Sequence, residues 1–237
     1  YLGKDVLQQQ ACAAVELTDA EELAIEVEAL ERVFDHPGMI TSLPLNWRLL
    51  RLPGMSVEQS ILVPLISTVP EVEARARRVL RWLSRQQLVA ELPSTCGWLG
   101  NRMAYAIGPA ARHWPHAERL PFDQPCNGLQ VLTRRGIYTL SRDFREEAGC
   151  PECRQEIGEA LFDSLEEWMP GLTETFVCPE CGFEDDINGF LFLQPCAFSN
   201  LALVFNNWPA VCFSEGFMAA LGEQLGYPLR LVQVLAD

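Results

Sequence analysis

Lysine is almost missing from this chain. Lys4 is the only one among 237 residues, so arginine carries nearly all of the positive charge. With abundant Ala, Leu and Gly, that usage fits a high-GC bacterial genome. Histidine is scarce as well: His36, His113 and His116 are the three present. That leaves few candidates for acid–base chemistry or an imidazole metal site. No run of 18 apolar residues occurs, so no membrane-spanning helix is expected; the longest runs, such as Ile61 to Ile66, are the size of a strand or a short helix. Catalytic signatures are missing too. There is no GxSxG, Walker loop, GxGxxG, HExxH or DxDxDG, and a non-enzymatic protein is expected. No secretory pattern opens the chain. The cysteines number 9, an odd count and mostly scattered, which speaks against a disulfide framework and for a reducing, cytoplasmic location.

Negative charge is what the chain has most of, with a formal net of −14. It is unevenly spread. Residues 1–35 hold 2 basic and 9 acidic side chains, residues 36–136 hold 12 and 6, and residues 137–237 hold 4 and 17. An acidic field repels nucleic acid and favours basic partners. The basic middle could meet the acidic parts inside the fold or form a face of its own.

The pattern of apolar residues predicts a sequence of short elements. Thr18 caps an acidic helix with Leu23, Val27, Leu30 and Phe34 on one face and Glu22 and Glu26 outside. An extended segment spans 40–52. A second helix is predicted from Ser56 to about Leu65, and a third from Pro70 to about Gln86. The third has Val72, Ala76, Val79, Leu80 and Leu83 facing inward and Arg75, Arg77, Arg78, Arg81 and Arg85 outside. Residues 88–92 and 103–107 read as strands. This order of elements resembles a winged helix over about 54–108, which implies a nucleic-acid-associated regulator with the arginine helix as reader.

Residues 109–125 contain four prolines and read as a linker, in which His113 and His116 are either exposed or two ligands of a second metal with Cys96 or Cys126. Leu129–Thr133 and Ile137–Leu140 flank Arg134-Arg135-Gly136, a hairpin signal. A strand–helix–strand closes the chain: Leu201 to Phe205, then a helix capped by Ser214 and stopped by Gly226, then Leu229 to Leu235. Trp208, in Asn206-Asn207-Trp208-Pro209, is either a buried strand-end side chain or a partner anchor.

One motif stands out. Cys150-Pro151-Glu152-Cys153 recurs letter for letter as Cys178-Pro179-Glu180-Cys181. Two CxxC turns supply four soft thiolates, a set that suits tetrahedral Zn²⁺. Gly182 follows the second turn, where the chain must bend sharply, but Arg154 holds the equivalent place after the first. The pairs resemble the zinc-ribbon family of metal knuckles over residues 148–190, which implies a local fold and a structural Zn²⁺ on Cys150, Cys153, Cys178 and Cys181. Iron in a rubredoxin-like site and a CxxC redox pair are the alternatives. Between the pairs lie 24 residues. Ile157, Leu161, Leu165 and Trp168 mark the inner face of a helix ended by Pro170-Gly171. Glu156, Glu159, Asp163, Glu166 and Glu167 mark its outer face. Asp185-Asp186 reads as a solvated charge run.

The expected fold class is therefore α+β. Residues 1–120 form a mostly helical, winged-helix-like domain, and 121–237 a mixed α/β core with an elaborated Cys₄ zinc ribbon, or the two are one compact unit. The expected function is binding of another protein with a basic surface through Glu22, Glu26, Asp163, Glu166, Glu167 and Trp208. The composition is similar to that of acidic inhibitor or immunity proteins for a basic toxin or nuclease.

Overall fold

The β-branched Val57, Ile61 and Val63 suit Val57–Pro64 to an interior strand of the main sheet. The structure, a computed structural model, describes residues 57–94, 103–124, 127–139 and 145–236. The predicted acidic helix with Glu22 and Glu26 and the extended segment at 40–52 lie outside the described residues. The chain divides into two compact units, Tyr1–Pro53 and Gly54–Asp237, and every described residue belongs to the second.

Strand β1 (Val57–Pro64) occupies the segment predicted as a helix from Ser56 to Leu65. It runs antiparallel to a strand on each side, with Leu62 opposite both Leu231 and Leu203. Ser60, Leu62 and Val63 are wholly buried. A strand covered on both faces loses its polar alternation and reads as a continuous apolar run, which periodicity alone does not separate from a short helix. The winged-helix order expected over about 54–108 includes residues 54–56 and 95–102, which lie outside the described residues.

Helix α1 (Val72–Arg85) follows, with Ala76, Val79 and Leu83 buried. Residues 88–94 and 103–107 then meet through single bridges, Val89 with Ile107 and Ser94 with Ala104. The expected linker is packed structure. Two 3₁₀ turns, Pro109–His113 and Ala117–Arg119, bury Ala111 and Leu120 and set Trp114 edge-on to Trp208 at 5.6 Å. Proline there fixes the turns rather than freeing the chain.

β2 (Leu129–Leu132) and β3 (Gly136–Thr139) do not pair with each other as a hairpin. β2 pairs with β9 (Ala202–Asn206) and β3 with β8 (Cys196–Ser199). Leu132 faces Ala202 and Gly136 faces Ser199, so three residues on one side oppose two on the other. Thr133-Arg134-Arg135 forms a bulge-like interruption between the β2–β9 and β3–β8 ladders. Gly136 lacks the positive φ that a tight hairpin turn requires.

Between β3 and β8 lie β4 (Ala148–Gly149), α2 (Gly158–Asp163), α3 (Leu165–Trp168), β5 (Thr175–Val177), β6 (Glu184–Asp186) and β7 (Leu191–Phe192). After β9 come α4 (Glu215–Leu225) and β10 (Leu229–Ala236). The main sheet has the order β10-β1-β9-β2. The predicted strand–helix–strand is therefore present, but β1 lies between its two strands. Ser214 accepts a hydrogen bond from Phe217 N at the start of α4, and Gly226 (φ 85°) ends it.

Two apolar cores result. In the first, α1 and α4 cover a sheet face carrying Leu62, Leu129, Leu203 and Phe205. In the second, Ile157, Leu161, Leu165 and Trp168 meet Phe176, Ile187, Phe190 and Phe198. All four predicted inner-face positions of the 24-residue insert are buried. The insert breaks at Ser164, whose Oγ donates back to Leu161 O at 2.6 Å. It ends in a Schellman turn at Gly171 (φ 87°), with Gly171 N on Trp168 O and Leu172 N on Glu167 O.

Candidate metal centre

Each CxxC sits at the tip of a short hairpin. The second is the plainer case, with β5 and β6 pairing from Val177–Glu184 down to Thr175–Asp186. Cys178 N donates to Phe183 O at 2.8 Å and Gly182 N to Cys178 O at 2.9 Å. The first knuckle repeats this pattern: Cys150 N donates to Gln155 O at 3.0 Å and Arg154 N to Cys150 O at 3.1 Å. The sequence difference at the fifth position is absorbed by the backbone. Arg154 takes the left-handed conformation (φ 62°) that Gly182 (φ 77°) takes in the other turn. A non-glycine residue adopts that conformation only where surrounding structure imposes it.

The two tips bring the four sulfurs together, all within 4.8 Å of one another. Cys150 Sγ lies 3.7 Å from Cys181 Sγ, and Cys153 Sγ lies 3.8 Å from Cys178 Sγ. A tetrahedron with metal–sulfur bonds of about 2.3 Å has edges of about 3.8 Å, so the separations fit four thiolates around one cation. They are far beyond disulfide length. Cys150 and Cys178 are buried, Cys153 is half-buried and Cys181 is exposed at the lip.

No family model, curated protein or solved structure matches this chain. What the site can do therefore rests on its own chemistry.

As thiols, Cys150 and Cys181 differ in how readily they ionise. Burial opposes a thiolate at Cys150, but the N–H groups of Cys153 and Glu152 and the thiols of Cys153 and Cys178 outweigh it, bringing Cys150 down to about 7. Cys181 receives help from the Phe183 N–H, yet partial desolvation within the cluster and its three thiol neighbours push it up to about 12. One site that makes a first thiolate easy and a later one hard is a site that a divalent cation relieves. Among the described residues this is the one group of cysteine, histidine and acidic side chains set to hold a metal.

The other predicted site residues fall in different places. Asp163, Glu166 and Glu167 stand exposed on the outer side of α2 and α3. Trp208 presents no face to a partner. It is wholly buried, donates from Nε1 to Asn127 O at 2.8 Å, and packs on Phe205 at 5.1 Å. The arginines of α1 divide. Arg75 Nη1 donates to Leu225 O at 2.6 Å and Arg78 Nη2 to Gln224 O, which places two cations on the negative end of the α4 dipole. Arg77, Arg81 and Arg85 are exposed.

Two residues of structural weight were missed in sequence. Asp186 is no solvated charge: one carboxylate oxygen accepts from Ser67 N at 2.8 Å and the other from Asn188 N at 2.8 Å. Its spacing to Asn188 is the local signal of an Asx turn. Arg135, read as a turn residue, is mostly buried and makes an ion pair with Glu174 at 2.7 Å. It also donates to Thr68 Oγ1, Thr173 O and Trp168 O, and its guanidinium lies 5.1 Å from the Trp168 ring. No sequence signal marks it, because its partners are distant in the chain.

Proposed function

We propose that this chain is a non-catalytic binding protein that captures a basic protein partner on an acidic module held together by a structural Zn²⁺. Cys150, Cys153, Cys178 and Cys181 would hold the ion, which supplies fixed geometry and no open coordination position for chemistry. The observation that carries the reading is the charge of the module. From residue 145 to residue 186 there are 13 acidic side chains and 2 basic ones, Arg145 and Arg154. Glu159, Asp163, Glu166 and Glu167 point outward and form no ion pair with any described residue. Their apolar counterparts on the same helices are buried, so the acids are left for a partner. An inhibitor or immunity protein for a basic toxin or nuclease is the concrete form of this reading, in which acidic surfaces speed capture.

Affinity capture from the native cells, with and without nuclease, tests it. A stoichiometric basic protein that survives nuclease supports the proposal. Its association rate should fall by roughly tenfold or more, and lose its salt dependence, when Glu159, Asp163, Glu166 and Glu167 are neutralised to Gln or Asn. A partner indifferent to those changes overturns the assignment of the surface.

A second reading has one observation of its own, the exposed Arg77, Arg81 and Arg85 on α1. Retention on duplex DNA that drops steeply with salt and is weakened by Arg77→Ala and Arg81→Ala would favour a nucleic-acid-associated role.

A further inference from the structure

The loop between β1 and α1 is fastened from two directions, which meet at Ser67, whose carbonyl also accepts from Asn200 N at 3.1 Å. From the metal module, Asp186 Oδ2 accepts the Ser67 N–H at 2.8 Å, and Glu174 O accepts from Ser67 Oγ at 3.1 Å. Arg135 Nη2 bridges Thr68 Oγ1 at 3.0 Å and Glu174 Oε1 at 2.7 Å. From the sheet connection, Asn200 Oδ1 accepts the Val69 N–H at 2.7 Å, and Asn200 Nδ2 donates to Val69 O at 3.1 Å. Ser67 and Val69 are both buried.

Glu174 and Asp186 form the root of the same hairpin whose tip carries Cys178 and Cys181. The β5–β6 ladder spans only Thr175 to Val177 against Glu184 to Asp186. Two strands that short do not hold a hairpin without help. The tip carries Cys178 and Cys181, which a bound metal would fix, and the root is where the loop is held. Asp186 is further tied through Asn188, whose side chain exchanges hydrogen bonds with Phe198 at 2.7 and 2.9 Å. The Asp186 carboxylate thus joins the hairpin root, the second core and the β1–α1 loop.

We propose that metal occupancy at the four cysteines controls how the β1–α1 loop is seated, through Asp186 and Glu174 at the root of the β5–β6 hairpin. The inference rests on the metal reading given above. Its consequence is a coupling between the two charged parts of the molecule. The loop leads directly into α1 and its arginines, so a partner that distorts the acidic module also releases one of the two fastenings at the entry to α1. Coupling of this kind is reciprocal.

The two fastenings supply an internal control. Amide hydrogen exchange is measured residue by residue on the zinc-loaded protein and on the same protein after chelation, with metal content determined on both samples. Loss of metal should raise Ser67 exchange by roughly ten- to a hundredfold, the worth of a hydrogen bond to a charged acceptor, while Val69 stays protected by Asn200. In the zinc-loaded protein, Asp186→Asn should reproduce the Ser67 effect with metal content unchanged. If Cys178 and Gly182 lose protection on chelation but Ser67 does not, the coupling is wrong and the metal site stands. If the purified protein takes up no stoichiometric metal, the metal reading falls and the coupling falls with it. Equal loss of protection at Ser67 and Val69 overturns the two-direction fastening.

Discussion

At the scale of single residues, the two knuckles form a matched pair that differs at one position. Gly182 adopts φ 77° and an added Cβ there would meet nothing within 4 Å. Gly182→Ala should therefore cost about 1 kcal/mol, all of it backbone strain. Arg154 already bears that strain, and Arg154→Gly should be neutral or stabilising by up to about 1 kcal/mol, with more freedom in the unfolded chain offsetting part of the gain. Denaturant unfolding of the zinc-loaded variants measures both, and opposite signs are the expected result. Arg135 carries a larger share. Replacing it with Met leaves the Thr173 carbonyl without its donor, leaves the Trp168 carbonyl with the Gly171 N–H alone and breaks the ion pair to the exposed Glu174, and should cost about 1–3 kcal/mol in the same experiment. Arg135→Lys should recover only part of this, because an ammonium cannot reproduce the planar fork. A variant Arg135→Met as stable as the parent would show that these bonds are not what joins the module to the loop.

At the scale of elements, the β3–β8 ladder contains two buried acids that the fold keeps neutral. Burial pushes the Cys196 thiol from 9.0 up to about 12, against the lowering influence of Arg230. Burial likewise raises the Tyr138 hydroxyl far above its ordinary 10.0, against Arg134. Both residues are stabilised as neutral groups. Their contribution is fully present below about pH 9 and is lost as the pH rises, because the unfolded chain ionises first. Stability should fall above pH 9 by about 1.4 kcal/mol per pH unit for the thiol, with a similar slope added by the phenol above pH 10. Cys196→Ala and Tyr138→Phe should flatten the curve between pH 9 and 11 in zinc-loaded protein. An unchanged slope in the double variant would place the alkaline lability elsewhere. The same scale explains two misread elements. Residues 56–65 carry the apolar content of a strand covered on both faces, and nothing local distinguishes that from a helix. The Arg134-Arg135-Gly136 tripeptide looks like a turn, but it lies at the interruption between β2 and β3, whose partners in β9 and β8 lie 57 to 76 residues downstream.

At the scale of the whole molecule, the module that carries the four cysteines is an insertion between β3 and β8 with its own apolar core, stitched to the main sheet by polar contacts around Ser67, Thr68 and Arg135. Its core is small, and much of its folding free energy is expected to come from metal binding. Chelation, or substitution of any one of Cys150, Cys153, Cys178 and Cys181 by Ser, should therefore lower stability by several kcal/mol and melt the module before the first core. Metal analysis together with near-ultraviolet circular dichroism, in which Trp168 reports on the module, would follow this. A Cys178→Ser protein with full metal content and unchanged melting would refute the site.

The sequence alone determined the local features that depend on a few adjacent residues. The CxxC turns, the inner face of Ile157, Leu161, Leu165 and Trp168, the Gly171 and Gly226 helix ends and the Ser214 cap were all readable, because propensity, spacing and backbone sterics act within a turn or two. The tertiary structure alone decided that β1 lies between β9 and β10, that Trp208 is core, that residues 109–124 are packed, and that Asp186 and Arg135 are structural. Each of those depends on a partner tens of residues or more away, and burial and hydrogen bonding across such distances leave no periodic trace in the chain.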